Sequence, residues 1–389
     1  MIMKYDFDKC VCRRGTGCVK YDGMEPLFGT NELTPLWVAD MDFEVAPCIS
    51  EALQRRFAHT VYGYGCTSGS FKDSIQRWLE RRHGVCPGAE ELAFVPGVVR
   101  GIAYAINFFT RPGDKILIQP PVYHPFRNLT VDNRRLVVEN PLVEREGTFD
   151  MDLDGFEATV ERERPKMMIL CNPHNPIGRQ WDLHALQRVA SVARKYDMIV
   201  VSDEIHGDLM LYGNRHIPFA WVSDDAAAVS VTFGAPSKTF NIAGLAASWM
   251  IVRNPELRQP FYKWMSANEF SEPGFTAALA TEAAYDGGEA WLDQLLPYLE
   301  GNIEAVERWF GAEMPCVRPV RPQASFLVWL DCRGLALPAP QLAGKLIDAG
   351  LALNDGSMFG VEGEGFMRMN IGMPRAGLLA ALPAFKSLL

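Results

Sequence analysis

Short apolar runs alternate with helix-patterned segments through the middle of the chain. "KILIQPPVY" (115–123) follows the turn "RPGD", and "KMMILCNPHNPIG" (166–178) passes from an apolar run into an Asn/Pro/Gly loop. "MIVVSDEIHGDL" (198–209) ends in charge, and "AAVSVTFGAPSK" (227–238), strand-like from Ala228 to Phe233, ends on a lysine. Between the second and third runs, "WDLHALQRVASVARKYD" (181–197) spaces Leu, Val and Ala as one face of a helix, with Asp182 as its N-cap. Runs that are apolar throughout and separated by helices predict strands buried on both faces of a parallel sheet. In such sheets ligands bind beyond the carboxyl ends of the strands. Polar residues stand at those ends: Tyr123 after one run, Asn172 and Asn175 after the next, then Asp203 and His206, then Lys238.

Further along the pattern changes. "WLDQLLPYLEGNIEAVERWF" (291–310) predicts a long amphipathic helix, and "ASFLVWLDC" (324–332) and "GFMRMNIGMPR" (365–375) predict strands. The expected fold is α/β, with a large domain at 46–285 built on a mostly parallel sheet. A smaller α+β domain follows at 286–389, and residues 1–45 pack with it.

Composition narrows the function. A chain of 389 residues, 48% hydrophobic and 22% charged, buries enough surface to fold without disulfides. Its net charge of −9 and lack of a basic block argue against a nucleic-acid footprint. No apolar run approaches the ~20 residues of a membrane span, and the N-terminus lacks the apolar core of a secretory signal. The nine cysteines form no CxxC pair or metal-ligand spacing, so reduced thiols in a cytoplasmic protein and no metal site are expected.

Lys238 has no charged neighbour between Asp225 and Arg253. It is either an incidental loop lysine or an amine held for use. Asp203 at a strand end needs a cationic or donor partner. Asn175 offers an amide, and Tyr123 an aromatic face. Together these suit a flat, phosphorylated heteroaromatic cofactor, as when a lysine Schiff base and an acidic partner for the ring nitrogen hold pyridoxal phosphate. Gly97, Val98 and Val99 begin a helix whose free N–H groups suit its phosphate, and Ser237 adds a hydroxyl. Arg368, alone among methionines, Asn370 and Ile371, is poorly explained as a solvated residue and suits a carboxylate.

The segments "GTGCVKYD", "VADMDFEVAPCISEAL", "VYGYG", "CNPHNPIGR", "VSDEIHGDL", "APSKTFNIAGL" and "GFMRMNIGMPR" resemble those of fold type I pyridoxal-phosphate enzymes. They are most similar to the MalY/PatB branch of cystathionine β-lyase-like C–S lyases in the class I/II aminotransferase family. The resemblance implies that Lys238 bonds the cofactor covalently, Asp203 pairs with the pyridine nitrogen, Tyr123 stacks on the ring and Asn175 donates to its phenolic oxygen. His206 falls where many relatives carry a tyrosine near that oxygen. Arg368 would take the substrate α-carboxylate. Tyr64 would reach the phosphate of the neighbouring subunit in a homodimer. The plainer alternatives are packing roles for Tyr123, His206, Arg368 and Tyr64. This chain departs from the pattern at Ala235 and Ala246, where relatives often carry a hydroxyl and an arginine for the phosphate. The implied activity is β-elimination of L-cystathionine or other S-substituted cysteines, with Lys238 as base. Transamination at the same site is the alternative, and a cofactor-bearing regulatory protein a third reading.

Overall fold

Strands form where the sequence is apolar on both pleat faces, and their order places the loops that matter. The computed structural model describes residues 4–64, 69–145 and 147–389. One sheet holds β1 (Leu92–Val95), β2 (Lys115–Ile118), β3 (Leu136–Glu139), β4 (Met167–Cys171), β5 (Ile199–Asp203), β6 (Ser230–Gly234) and β7 (Ser248–Ile251). Their spatial order is β1-β7-β6-β5-β4-β2-β3. Strands β3, β2, β4, β5 and β6 run parallel, and β7 is antiparallel to both β6 and β1. The mostly parallel α/β sheet read from the sequence is therefore present. Every residue of β4 and β6 is buried, which is why neither shows polar alternation.

Helices cover both faces. Helix α1 (Gly69–His83) places Phe71, Ile75 and Trp78 in a cluster with Phe94 and Trp249. On one face of the sheet, α2 (Val98–Phe109) sets Ile102, Ala105 and Ile106 against Ile116, Ile169 and Val231. On the other, α3 (Leu183–Lys195) sets Leu186, Val189 and Ala193 against Leu117, Met168 and Val200. Successive strand residues point to opposite faces, so one apolar run feeds both clusters. Asp182 caps α3 as read from the sequence, accepting from the Ala185 N–H at 2.7 Å.

The run expected to be extended from Ala228 starts later. Asp224–Val229 is a helix capped by the Ser223 hydroxyl, and the strand begins at Ser230. A capping serine, acidic residues in the first turn and three alanines favour helix over strand there. The short helix α4 (Pro236–Thr239) carries Lys238. Helices α5 (Phe275–Gly287) and α6 (Glu289–Glu313) follow.

A second, antiparallel sheet holds β8 (Arg318–Val320), β9 (Leu327–Asp331), β10 (Asn354–Asp355) and β11 (Phe366–Asn370), in the order β8-β9-β11-β10. The N-terminal segment runs against it. Thr34–Pro35 pairs with Leu351–Ala352, and Phe7, Leu36, Met41 and Phe43 join the cluster of Leu299, Ile303, Leu327 and Met369. Among the described residues no helix is long and apolar enough to cross a membrane.

Candidate active site

The register of the central sheet aligns its strand ends. Cys171 pairs with Asp203, and Asp203 with Phe233, so β4, β5 and β6 finish level and their loops open on one crevice. A cavity of about 290 Å³ lies there. Gly97, Val98, Val99, Tyr123, Asn175, Asp203, His206, Ser237 and Lys238 all line it. Tyr64 does not; it is fully exposed on the surface. Arg368 stands behind Asn175, its Nη1 donating to Asn175 Oδ1 at 3.0 Å. Asn172 is a turn residue, donating through its side chain to Ile217 O at 3.0 Å.

At one end of the cavity α2 begins. Gly97 precedes it with φ 125°, a conformation that strains other residues, and no side chain caps the first turn. The opening N–H groups are left for an anion. Ala246 lines the cavity in place of any guanidinium, as the sequence shows. The arginine that does line it is Arg100, on the first turn of α2, with Nη1 donating to Pro96 O at 3.1 Å. Nothing in the sequence marked Arg100, because an exposed helical arginine is ordinary.

Lys238 Nζ donates to the Ala39 carbonyl at 2.6 Å. Loss of solvent pulls its ammonium down to about 8; Asp40 and Asp203 oppose this and Arg368 adds to it. Asn241 holds the same loop to the N-terminal segment, donating to Met41 O and Phe43 O and accepting from Met41 N. Burial pushes the Asp203 carboxyl up to about 7, against the Ile205 N–H at 3.1 Å and the charge of Lys238. His206 is buried, and its ring Nδ1 has no hydrogen-bond partner. Burial, then the charges of Lys238 and Arg368, draw its pKa down to about 3, so it is neutral at physiological pH. Burial raises the Tyr123 hydroxyl.

Arg368 is buried with no carboxylate pairing with it among the described residues. Its donors reach Asn175 Oδ1, Asn354 Oδ1 at 2.6 Å and Trp37 O at 3.0 Å, and the guanidinium lies over the Phe359 ring. Burial lowers its pKa to about 10. Asn354 and the Trp37 and Ala39 carbonyls were not read from the sequence: backbone oxygens carry no residue signature, and these groups lie far from the residues they hold.

These groups fit pyridoxal phosphate. An amine for its aldehyde, a raised carboxylate for its ring nitrogen, an imidazole with an unpartnered Nδ1 and an amide for its ring oxygen, and open helix N–H groups for its phosphate share one cavity. Comparisons agree. Residues 31–385 match the family described as aminotransferase class I and II. Cystathionine beta-lyase PatB of Bacillus subtilis (strain 168) is 41% identical over 385 residues, 99% of this chain and 100% of that protein. The crystal structure of cystalysin from Treponema denticola, which contains pyridoxal 5'-phosphate, is similar with a TM-score of 0.95 and 32% identity, covering 99% of each chain. The pyridoxal-phosphate-bound C–S lyase from Staphylococcus hominis is similar with a TM-score of 0.92 and 30% identity, covering 100% of this chain and 98% of the other.

Proposed function

From the premise that this chain belongs to the aminotransferase class I and II family, we propose a pyridoxal-phosphate-dependent C–S β-lyase that cleaves L-cystathionine or related S-substituted cysteines. Lys238, Asp203, Asn175, His206, Tyr123 and Ser237 hold the cofactor, with Gly97, Val98 and Val99 at its phosphate. Bound there, it supplies a sink for the electron pair left at the substrate Cα. Arg368 takes the α-carboxylate; a buried guanidinium without a protein carboxylate is costly, and a substrate anion relieves that cost. Lys238, already inclined to lose its proton, removes the Cα proton as general base. The C–S bond breaks and the sulfur leaves with the bonding pair. Water then converts the carbon skeleton to pyruvate and ammonia. The observation that carries the reading is the uncompensated Arg368 beside a cavity lined by a depressed lysine.

The test is product analysis on the cofactor-loaded enzyme with L-cystathionine. Pyruvate and thiol in equal amounts, lost in Lys238→Ala, are expected. Conversion of the cofactor to its amine form, reversed by a 2-oxo acid, would instead make the enzyme an aminotransferase.

The same proposal includes a homodimer in which Tyr64 completes the partner's phosphate site. Tyr64 is fully exposed beside exposed Val61 and Tyr62, an apolar stretch suited to burial against another subunit. It also divides the chain into a large domain at 46–285 and a small one formed by 1–45 and 286–389. The free thiols among the described residues support placement in the reducing cytoplasm.

A further inference from the structure

Two residues that grip the cofactor have sequence neighbours engaged elsewhere. Glu204 follows Asp203, and Thr239 follows Lys238. Glu204 lines a second cavity, of about 20 Å³, together with His83, Asp208, His216 and Thr232. None of these lines the cofactor cavity. Thr239 Oγ1 donates to Asp208 Oδ2 at 3.0 Å. Asp208 Oδ1 also meets Trp78 Nε1 at 3.0 Å and His83 Nε2 at 2.8 Å. Glu204 accepts from the Ser202 hydroxyl at 2.8 Å and Phe219 N at 2.9 Å, and meets His216 Nε2 at 2.8 Å. The two imidazoles touch edge to face, with centroids 5.3 Å apart.

Burying two carboxylates against two imidazoles is a poor way to gain stability; apolar side chains fill such space at less cost. Two separate carboxylate–histidine pairs meet in one chamber, each a single residue from a group on the cofactor. We propose that His83 and His216 are positioning residues for the lyase: His83, through Asp208 and Thr239, fixes the reach of Lys238, and His216, through Glu204, fixes Asp203. Burial alone would raise the Asp208 carboxyl, but the donors from His83, Trp78 and Thr239 outweigh it and keep it below the usual range, so a firm anion anchors α4. His83, Asp208 and His216 also border an open cleft, whose other charged groups are Glu80, Arg81, Arg82, Arg215, Asp293 and Glu300.

The assignment rests on Lys238 and Asp203 holding the cofactor. Its test is the pH titration of the visible absorption of the pyridoxal-phosphate-loaded enzyme, with kcat and KM measured alongside. Thr239→Val removes the link to Asp208 and Thr239→Ser keeps it. His83→Phe and His216→Phe remove their donors, whereas Gln at either position keeps one. The Val and Phe variants are expected to move the titration midpoint by about 0.5–1 unit and to lower kcat about 3- to 10-fold with KM little changed. The Ser and Gln variants restore both readouts. The double variant T239V/H83F moves no further than either single one, because both act through Asp208. A midpoint that stays put in Thr239→Val and His216→Phe while Tm falls overturns the proposal, and so does additivity in the double variant. A wild-type enzyme with no visible band would overturn the cofactor assignment itself, which separates the two failures.

Discussion

Arg368 Nη1 lies 3.0 Å from Asn175 Oδ1, joining residues 193 positions apart and tying the strand β11 to the loop after β4. A guanidinium only donates, so this contact fixes the amide of Asn175. Its carbonyl oxygen faces Arg368, which leaves its NH₂ as the donor proposed for the cofactor's ring oxygen. Replacing Asn175 with Asp places an anion against Arg368 and removes that donor. The expected result is a KM for L-cystathionine raised about 10- to 100-fold, from the loss of a charge-assisted contact. Unchanged steady-state kinetics in Asn175→Asp would contradict the assignment of Arg368 to the substrate.

Asp203 gives the cofactor-free protein a distinctive response to pH. Its carboxyl moves from the ordinary 3.8 up to about 7 by burial. Between those values the folded state holds a proton that the unfolded state has released, so stability is full below 3.8 and falls as pH rises toward 7. The interval corresponds to a loss of at most ~4 kcal/mol. Lys238 acts in the opposite direction at higher pH: with its amine lowered from 10.5 to about 8, stability climbs between those values. Denaturant unfolding of the cofactor-free protein at several pH values is expected to show the decline, and Asp203→Asn to flatten it. A decline of equal size in Asp203→Asn would place the titration elsewhere.

Arg100 is the arginine that lines the cavity, where position 246 offers only a methyl group. Arg100→Gln is expected to weaken pyridoxal-phosphate binding about 3- to 10-fold, since the residue is exposed and its charge screened. Ala246→Arg is expected to tighten binding. Equilibrium dialysis at two salt concentrations measures both, and the Arg100 effect should shrink at the higher one. Equal affinities for wild type and Arg100→Gln would leave the phosphate to the α2 N–H groups and Ser237.

The proposed homodimer, with Tyr64 at its partner's site, is tested by a mixing experiment. Tyr64→Ala and Lys238→Ala are each expected to be nearly inactive alone. Unfolded together and refolded as a mixture, they form hybrids in which the chain retaining Lys238 receives Tyr64 from its partner. One restored site per hybrid predicts recovery of about a quarter of wild-type activity from random pairing, the gain arising without any new contact within a chain. No recovery would mean that Tyr64 serves its own subunit.

The central sheet was readable because its strands are buried on both faces and therefore apolar without interruption, as in Met167–Cys171. That Asn175, Asp203 and Lys238 share one cavity was readable because each follows such a run, and the topology brings the ends of β4, β5 and β6 level. Two kinds of feature were not. The helix at Asp224–Val229 is as apolar as a strand over its last residues, and only the Ser223 cap separates the two. The supports of the site, Asn354 behind Arg368 and the Ala39 carbonyl at Lys238, depend on contacts between distant parts of the chain. The role of the pair Glu204 and Thr239 stayed hidden because sequence shows that a residue is adjacent, not which way it turns.

The contact between Asn175 and Arg368 also orders events at the ribosome. Every residue lining the cofactor cavity, from Ala39 to Ser248, emerges before Arg368. At a synthesis rate of about 5–20 residues per second, Asn175 waits some ~10–40 s for its partner 193 positions on. Over the last 120 of those positions, from Ser248 to Arg368, or about 6–24 s, a growing chain can present the whole lining while lacking the group proposed to capture a substrate carboxylate. Loading with cofactor can thus precede competence for catalysis, and an unfinished chain carries its reactive amine without the means to turn it on an amino acid.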